Sequence, residues 1–204
     1  MLKVVFMDAG GVLFNNVLEE TPFLASIADR YGLEERQFTR QVHVNAPLYE
    51  SGRYHVHDVF RRIVGSDLNA KWLDELYLEC VEPHRPNLAV VRQLRDSHPG
   101  VRIILTNNES AHWDELKNAE FGHYRLFDRL LSSWRVRQVK PSEDYFAELC
   151  RACPATESAL LVDDRRAVLR VGARLGMRVL HVHSPEVLAQ RLAVELDRPR
   201  SEAS

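Results

Sequence analysis

The feature that most constrains the fold of this chain is a short apolar run close to its start. Residues 2–7 (LKVVFM) are rich in β-branched side chains, and the run ends at Asp8 and the Gly10-Gly11 pair. Such a run is typical of a buried strand that stops in a glycine turn. Four later runs share this apolar character: 101–105, 129–133, 159–162 and 177–182.

Segments whose length and apolar period are those of an α-helix lie between the later apolar runs. They cover residues 87–96, 109–119, 142–151, 165–175 and 185–196. Strands that alternate with helices are joined by right-handed crossovers, which give a parallel sheet with helices on both faces. The sequence therefore predicts an α/β fold, a doubly wound parallel sheet.

The segment between residues 15 and 86 interrupts this alternation. Its patterns are helical throughout, with glycines that mark helix ends, such as Gly32 and Gly65. We expect residues 15–86 to form a small helical domain inserted after the first strand. The α/β core would then consist of residues 1–14 and 87–204.

Composition excludes several classes of protein. The chain has 27 basic and 29 acidic residues, so its formal charge of −2 argues against a nucleic-acid-binding face. No apolar run approaches the ~20 residues that cross a bilayer, and the first residues do not resemble a signal peptide. An odd count of three cysteines gives no disulfide framework. We therefore expect a cytoplasmic protein that binds neither nucleic acid nor membrane.

Polar residues follow the predicted strands at the points where ligands bind in open parallel sheets. Asp8 follows the first strand, and Asp163 and Asp164 follow the fourth. Adjacent carboxylates at the end of an apolar strand repel each other and need a cation or hydrogen-bond donors nearby. Three further polar residues belong to the same predicted edge: Thr106, Asn107 and Lys140. Lysine is rare in this chain, with 4 residues against 23 arginines, which makes Lys140 more informative.

Together these segments resemble a known family. VVFMDAGGVLF, IILTNNES, QVKPSEDYF and ALLVDD are similar, in this order, to the four motifs of the haloacid dehalogenase superfamily. The spacing from Asp8 to Thr106 resembles that of members with a helical cap of the C1 type. HRPNLAVVRQLRDS and YESGRYHVHDVF further resemble the branch of soluble epoxide hydrolase N-terminal phosphatases and bacterial alpha-glucose-1-phosphate phosphatases.

The resemblance implies a magnesium-dependent phosphohydrolase that works through an aspartyl-phosphate on a small phosphorylated substrate. It implies that Asp8 is the nucleophile and that Thr106, Asn107 and Lys140 bind the phosphoryl oxygens, next to the backbone of Ala9 and Gly10. The same resemblance assigns the Mg²⁺ ligands: Asp8, the carbonyl of Gly10, Asp164, and Asp163 through water or the lysine. This chemistry agrees with the preference of Mg²⁺ for oxygen ligands.

Gly10 departs from the family pattern, because most phosphatases of the superfamily carry a second aspartate there. That aspartate protonates the leaving group, a contribution usually of about 10² to 10⁴-fold. Three interpretations stay open. A phosphatase can use a substitute acid, water or a good leaving group; a dehalogenase needs no such acid; and a binding or regulatory protein needs little turnover.

The predicted cap offers replacements for the missing acid. His55 and His57 belong to the segment that the resemblance places over the site, and histidine is a usual proton donor near neutrality. Glu50, Arg53 and Tyr54 are further candidates for contact with the substrate. The alternative interpretation is a solvated turn between cap helices, with surface histidines. We interpret the scattered tryptophans as packing residues. Tryptophans can also lie at an interface, so a homodimer stays open as a partner.

Overall fold

The computed structural model describes residues 2–65 and 67–197. Their sheet has five strands: β1 (Val4–Met7), β2 (Arg102–Leu105), β3 (Arg129–Leu130), β4 (Ala159–Asp163) and β5 (Arg178–His181). The spatial order is β3-β2-β1-β4-β5, and every pairing is parallel. This confirms the predicted α/β fold with a doubly wound parallel sheet. The last seven residues of the predicted core segment, 198–204, lie outside the described residues.

Helices surround the sheet and fill the long connection after β1. The helices described are α1 (Val17–Glu20), α2 (Phe23–Arg30), α3 (Glu35–Glu50), α4 (Val56–Val64), α5 (Ala70–Cys80), α6 (Arg85–Ser97), α7 (Ala111–Phe121), α8 (Ser133–Val136), α9 (Glu143–Ala152), α10 (Arg166–Arg174) and α11 (Pro185–Asp197). Short 3₁₀ turns cover His123–Leu126 and Thr156–Ser158.

Strand β1 lies at the centre of the sheet and is buried on both faces. Val4 and Phe6 belong to one apolar cluster, with residues of α9 and α10, whereas Val5 and Met7 belong to the other. This follows from the two-residue period of a strand, which sends alternate side chains to opposite faces. A strand covered on both sides therefore has to be apolar at every position, as residues 4–7 are.

The register brings the carboxyl ends of the central strands to the same level. Met7 pairs with Leu105 of β2 and with Val162 of β4. The residues that follow these strands therefore begin side by side at one edge, and they include the predicted site residues. Each such residue rests on a strand that is held by hydrogen bonds on both sides.

Residues 15–86 contain helices α1 to α5 and pack around an aromatic cluster. The ring of Phe60 lies 6.3 Å from Phe23 and 5.4 Å from Trp113, which belongs to α7 beyond the segment. The apolar core of these helices is continuous with that of one face of the sheet. The helical segment is therefore seated on the sheet by large aromatic side chains. The predicted boundaries of a separate cap domain remain a prediction.

Helix α3 is longer than the sequence patterns predict. The expected helix covered residues 34–44, but α3 runs to Glu50 and contains Pro47. Its buried face continues past the proline, because Val42, Ala46 and Tyr49 are spaced as one side of a helix requires. The extension carries Tyr49 and Glu50 to the edge of the sheet where the strands end.

The third strand is shorter than predicted. The apolar run 129–133 gives only Arg129–Leu130 as strand, because Ser133 already begins α8. The hydroxyl of Ser132 donates a hydrogen bond to the Asp114 carboxylate at 2.9 Å, and the Ser133 hydroxyl donates to the carbonyl of Glu50 at 2.6 Å. These side-chain bonds hold the start of α8 against Asp114 of α7 and the end of α3.

Within residues 2–65 and 67–197, none of the helices combines the length and the apolar character that a bilayer span requires.

A first prediction concerns Gly172, where α10 crosses β4. A Cβ atom built at Gly172 would lie 2.5 Å from Cδ2 of the fully buried Leu161. Gly172→Ala should therefore destabilise the fold by about 1 to 3 kcal/mol through overpacking, although alanine is the better helix former by about 1 kcal/mol. Urea denaturation measures the change.

Gly100→Ala is the matched control. Nothing lies within 4 Å of a Cβ at Gly100, so this variant should unfold at nearly the same urea concentration as the parent chain. Equal stability of the Gly172→Ala and Gly100→Ala variants would contradict the close approach of α10 to β4.

Candidate active site

A buried lysine joins two strand ends at the carboxyl edge of the sheet. The ammonium of Lys140 lies 2.8 Å from Oδ2 of Asp8 and 2.7 Å from Oδ2 of Asp163. All three side chains are buried, and Lys140 is 3% exposed. Burying charges is tolerated only where they are paired and hydrogen-bonded, so these three residues depend on one another.

A reciprocal pair of hydrogen bonds holds the loop that carries Lys140. The backbone amide of Lys140 donates to Oδ1 of Asn108 at 2.9 Å. The side-chain amide of Asn108 in turn donates to the Lys140 carbonyl at 3.1 Å. Asn108 follows β2, so the loop of Lys140 is tied directly to a strand end.

The two carboxylates after β4 have different partners. Asp163 accepts from Lys140 and, through Oδ1, from the backbone amide of Arg165 at 2.8 Å. Asp164 is less buried, and its Oδ2 accepts from the side-chain amide of Asn16 at 2.9 Å. Both oxygens of Asp163 thus accept hydrogen bonds from the protein. Asp164 instead faces the open side of the edge, where it lines a cavity.

The carboxylates of the site are crowded, which changes their acidity. Burial raises the pKa of Asp8 to about 6, and the charge of Asp163 adds to this, against the opposing effects of Lys140 and Arg165. Burial likewise raises the pKa of Asp164, helped by the charge of Asp8. The cluster therefore carries more negative charge than its basic neighbours neutralise, which favours binding of a cation.

Three carboxylates lie close enough to share one ion. Single oxygens of Asp8, Asp163 and Asp164 lie within 4.8 Å of one another. A set made only of carboxylate oxygens suits a hard divalent cation such as Mg²⁺. The predicted metal ligands therefore come together in space. Gly10, whose carbonyl is the fourth predicted ligand, lines the same cavity.

Polar groups without protein partners face the same edge. The hydroxyl of Thr106 and the side-chain carbonyl of Asn107 are buried and find no hydrogen-bond partner among the described residues. The Asn107 amide donates to the buried carboxylate of Asp114 at 3.0 Å, which fixes the orientation of its side chain. Since buried polar atoms are normally hydrogen-bonded, these two sites fit a polar ligand.

The turn after β1 contains both Ala9 and Gly10. Ala9 is fully buried, and its amide donates to Oδ1 of Asp8 at 2.8 Å, which orients the carboxylate. At Gly10 a Cβ atom would lie 2.6 Å from Oδ1 of Asn16. The side chain of Asn16 thus fills the space next to Gly10, where most phosphatases of the superfamily that the sequence resembles carry a second aspartate.

A cavity of about 240 Å³ opens over the strand ends. Its floor includes Asp8, Gly10, Asp164 and Arg165, and its walls come from the helical segment and from the loop after β2. Wall residues that bear polar groups are Asn15, Asn16, Glu19, Tyr49, Glu50, Tyr77, Asn107, Asn108, Glu109, Trp113 and Lys117.

The far wall of the cavity is a polar cluster around Glu109. The Tyr77 hydroxyl donates to Oε2 of Glu109 at 2.7 Å, and the Lys117 ammonium lies 3.2 Å from the same oxygen. The hydroxyl of Tyr49 is buried and has no hydrogen-bond partner among the residues that are described. This wall therefore offers donors and acceptors to the part of a ligand that lies away from Asp8.

The segment that follows α3 lies elsewhere than the sequence suggests. Arg53, Tyr54 and His55 are not among the residues that line the cavity. Tyr54 is 43% exposed, and the guanidinium of Arg62 covers its ring at 4.5 Å. His57 points to Asp74 of α5, at 2.8 Å. Of the residues proposed from this stretch, Glu50 is the one that the structure brings to the cavity.

Sequence reasoning missed several residues of the site. They are Asn16, Glu19, Glu109, Lys117 and Arg165. Arg165 directly follows the acidic pair and had a detectable signal, because a cation beside two carboxylates is expected. The others stand singly in helices or loops, and their approach to Asp8 depends on how the helical segment packs.

The family model of the haloacid dehalogenase-like hydrolases matches residues 2–176. The chain belongs to this family of hydrolases. No curated protein matches the chain significantly. The superfamily resemblance seen in the four motifs is thereby confirmed, whereas the more specific phosphatase branch stays a prediction.

Solved structures share the fold of this haloacid dehalogenase-like hydrolase. A predicted HAD-like family hydrolase from Porphyromonas gingivalis is 18% identical, with a TM-score of 0.76 over 98% of this chain and 100% of that one. A HAD family enzyme from Bacteroides thetaiotaomicron, in complex with magnesium and inorganic phosphate, is 17% identical, with a TM-score of 0.73 over 89% and 94%. L-2-haloacid dehalogenase from Xanthobacter autotrophicus, with chloropropionic acid covalently bound, is 19% identical, with a TM-score of 0.62 over 98% and 85%.

The close approach of Asn16 to Gly10 generates a second prediction. Gly10→Asp should force the Asn16 side chain away from Asp164 and destabilise the hydrolase, and the additional Asn16→Ala change should relieve the clash. In a double-mutant cycle, the two changes should therefore couple by about 1 kcal/mol. Chemical denaturation of the four proteins measures this coupling. Strict additivity of the two changes would show that Asn16 does not compete for the space beside Gly10.

Proposed function

We propose that this hydrolase is a Mg²⁺-dependent phosphatase of a small phosphorylated metabolite and that it works through an aspartyl-phosphate on Asp8. The observation that carries the proposal is the convergence of Asp8, Lys140, Asp163 and Asp164 at one edge of the sheet. A nucleophilic carboxylate, a fixed ammonium and an oxygen-ligand set are the parts that phosphoryl transfer needs.

A carboxylate oxygen of Asp8 attacks phosphorus while the bond from phosphorus to the leaving oxygen breaks, and water then hydrolyses the aspartyl-phosphate to free phosphate. The carboxylate is fixed in orientation, since the amide of Ala9 bonds to one oxygen and Lys140 to the other. The hydroxyl of Thr106, the backbone N–H of Asn107 and the ammonium of Lys140 bind the phosphoryl oxygens and stabilise the charge that develops on them. Positioning and charge neutralisation are the main sources of catalysis in phosphoryl transfer.

Asp8, the carbonyl of Gly10 and Asp164 would hold the metal, with Asp163 acting behind them through Lys140. When bound, Mg²⁺ neutralises the phosphate and the clustered carboxylates. The cluster of carboxylates with raised pKa values supports this role, because Asp8 and Asp164 ionise more readily beside a cation.

Glu50 supplies the proton that the leaving group needs in the absence of an acid at Gly10. It lies at the last position of α3 and lines the same cavity as Asp8. Burial raises the pKa of Glu50 to about 7 with help from Glu109 and Glu19, against the opposing charges of Arg165 and Lys140. A carboxyl group that titrates near neutrality suits alternating roles as acid and base.

The size and lining of the cavity support a small substrate. A volume of about 240 Å³ is below the 300 to 1,000 Å³ that is common for drug-sized ligands. The wall around Tyr77, Glu109 and Lys117 is polar and would contact the hydroxyl groups of a metabolite. The substrate is therefore proposed to be small and hydrophilic, with its phosphate at Asp8.

Two alternatives follow from specific features. Gly10 in place of an acid, together with the fold shared with a haloacid dehalogenase, supports hydrolysis of a carbon–halogen bond. The same glycine supports a phosphate-binding protein with little turnover. The intact Asp163–Asp164 pair favours the phosphatase over the dehalogenase, because halide displacement makes no demand for Mg²⁺. A panel of phosphate esters and 2-haloacids, with and without Mg²⁺, separates the three.

A third prediction tests the nucleophile. Asp8→Asn should lower the hydrolysis of p-nitrophenyl phosphate by at least ~10³-fold, with unchanged circular dichroism. Asp144→Asn is the control, because Asp144 lies in the first turn of α9 and does not line the cavity. Full activity of the Asp8→Asn variant would remove Asp8 from the mechanism.

A fourth prediction concerns the cation. Chelation with EDTA should abolish phosphate ester hydrolysis, and Mg²⁺ should restore it. Asp164→Ala should raise the Mg²⁺ concentration needed for half-maximal activity, because it removes a ligand oxygen. Unchanged activity in EDTA would favour the dehalogenase, for which release of chloride from 2-chloropropionate is the assay.

A fifth prediction tests Glu50 through the pH profile. A general acid with a pKa of about 7 acts only while protonated, so kcat for an alkyl phosphate should fall as the pH rises above 7. Glu50→Gln should lower kcat by about 10²-fold at pH 6 and remove this fall, with a smaller loss for p-nitrophenyl phosphate, whose leaving group needs less protonation. Glu19→Gln, another carboxylate of the cavity wall, is the matched control and should retain the fall.

The same shift predicts an effect on stability. The pKa of Glu50 is about 7 when folded against 4.5 otherwise, so the folded state binds more protons between these values. The stability that the Glu50 carboxyl contributes is fully present below pH 4.5 and is lost as the pH rises through about 7. Glu50→Gln should therefore raise Tm more at pH 8 than at pH 5. An equal change at both values would contradict a buried carboxylate.

A further inference from the structure

Three histidines and an aspartate form a second polar cluster, separate from the strand ends. Nε2 of His57 lies 2.8 Å from Oδ1 of Asp74, and Nε2 of His112 lies 2.8 Å from Oδ2 of the same carboxylate. The cluster shares no residue with the group formed by Asp8, Asp163 and Asp164. We propose that His57, Asp74 and His112 form a binding site for a transition-metal ion of the zinc class.

The ligand atoms have the chemistry and the convergence that such a site needs. Two imidazole nitrogens and one carboxylate oxygen lie within 4.8 Å of one another. Zn²⁺ binds imidazole and carboxylate, and sites with three protein ligands keep a fourth position for water. Mg²⁺ prefers oxygen ligands only. The composition of the cluster therefore selects zinc or a similar ion over the cation of the catalytic site.

Small side-chain movements would complete the coordination. Zinc–nitrogen distances of about 2.0 to 2.1 Å place tetrahedral ligand atoms about 3.3 Å apart. The two 2.8 Å contacts go to different oxygens of Asp74, so the ion would replace both N–H···O bonds and draw one atom of each residue, now within 4.8 Å of one another, to about this separation. The proton of each neutral ring then resides on Nδ1, and Nε2 presents its lone pair to the metal.

Neighbouring side chains hold the ligands in this arrangement. The indole N–H of Trp113 donates to Oδ1 of Asp74 at 3.0 Å, a contact that orients the carboxylate. The ring of His55 packs on both histidines, with centroids 4.7 Å from His57 and 4.9 Å from His112. Its Nδ1 accepts from the backbone amide of His57 at 3.2 Å, so His55 also fixes the start of α4.

The site is reachable and joins separate parts of the chain. The side chains of His57, Asp74 and His112 are 13%, 20% and 30% exposed, so the ligands are sheltered without being sealed. His57 lies in α4 and Asp74 in α5, whereas His112 lies in the first turn of α7, which follows β2. A bound ion would therefore tie the helical segment to the α/β core.

The ion would also act next to the wall of the catalytic cavity. Trp113, which contacts Asp74, lines that cavity and stacks on Tyr77 with ring centroids 4.5 Å apart. Zinc binding should therefore change the fluorescence of Trp113 as well as stabilise the fold. Neither effect depends on whether the protein hydrolyses phosphate esters.

The test is a titration of the metal-stripped full chain with zinc chloride in excess Mg²⁺, followed by isothermal calorimetry. One Zn²⁺ per chain should bind. His57→Gln and His112→Gln should each weaken it by at least ~10²-fold, since loss of a ligand exceeds loss of an outer contact. His43→Gln, an exposed histidine of α3, is the matched control and should bind zinc like the parent chain.

Two further measurements distinguish zinc binding at this cluster from zinc binding at the strand-end carboxylates. The Asp8→Asn/Asp164→Asn double variant should retain zinc binding, and loss there would assign the ion to the strand-end carboxylates and overturn the proposal. Co²⁺ bound to the parent chain should give the visible absorption of a nitrogen-ligated site, and this absorption should be absent from the Asp74→Asn variant. The Asp74→Asn variant provides the test if a histidine variant fails to fold. Absence of zinc binding, or binding indifferent to His57 and His112, would equally overturn the proposal.

Discussion

The buried contact of Lys140 with Asp8 and Asp163 is the interaction on which the site depends. Without the ammonium, two carboxylates on adjacent strands would face each other in an apolar sheet, and one of them would take up a proton. With it, Asp163 stays bound to the protein, and Asp8 is held with its oxygens in fixed directions. The reciprocal bonds between Asn108 and the Lys140 backbone then anchor this charge to β2.

The site residues that could be predicted from the sequence are those that stand at the ends of strands. Parallel strands share one carboxyl edge, so Asp8 and Thr106, which follow β1 and β2, lie level with Asp163 at the end of β4. The fold class was predictable for the same reason, because an apolar run flanked by helical patterns has few other solutions. The run at 129–133 shows the limit, since its strand ends after two residues and Ser133 begins α8, where Ser132 and Ser133 bond to Asp114 and Glu50.

Positions set by the packing of helices could not be predicted in this way. Asn16 reaches Asp164 across 148 positions of sequence, and no local pattern marks it. Glu50 is one of several candidates in the sequence, and only the length of α3, which runs to Glu50, brings it to the cavity. The stretch after α3 has histidines that look poised for the cavity, yet His57 turns to Asp74, which lies in another helix.

The absence of an acid at Gly10 and the position of Asn16 belong together. The amide occupies the space beside the glycine and donates to a carboxylate of the proposed metal site. A carboxylate in that place would add a further negative charge to a crowded cluster. In the proposed mechanism Glu50 takes this role, which would separate proton transfer from cation binding, so that each could be tuned by different surroundings.

The floor of the cavity comes from the strand ends, whereas much of its wall comes from the helical segment. This difference affects how the protein could diversify. The strand-end floor is fixed by sheet register, and changes there would disturb several residues at once. The wall residues Tyr49, Glu50 and Tyr77 belong to helices of the long connection after β1. Replacing such a connection leaves the sheet intact, so descendants of one ancestral gene can acquire new ligand preferences while inheriting the same reaction chemistry.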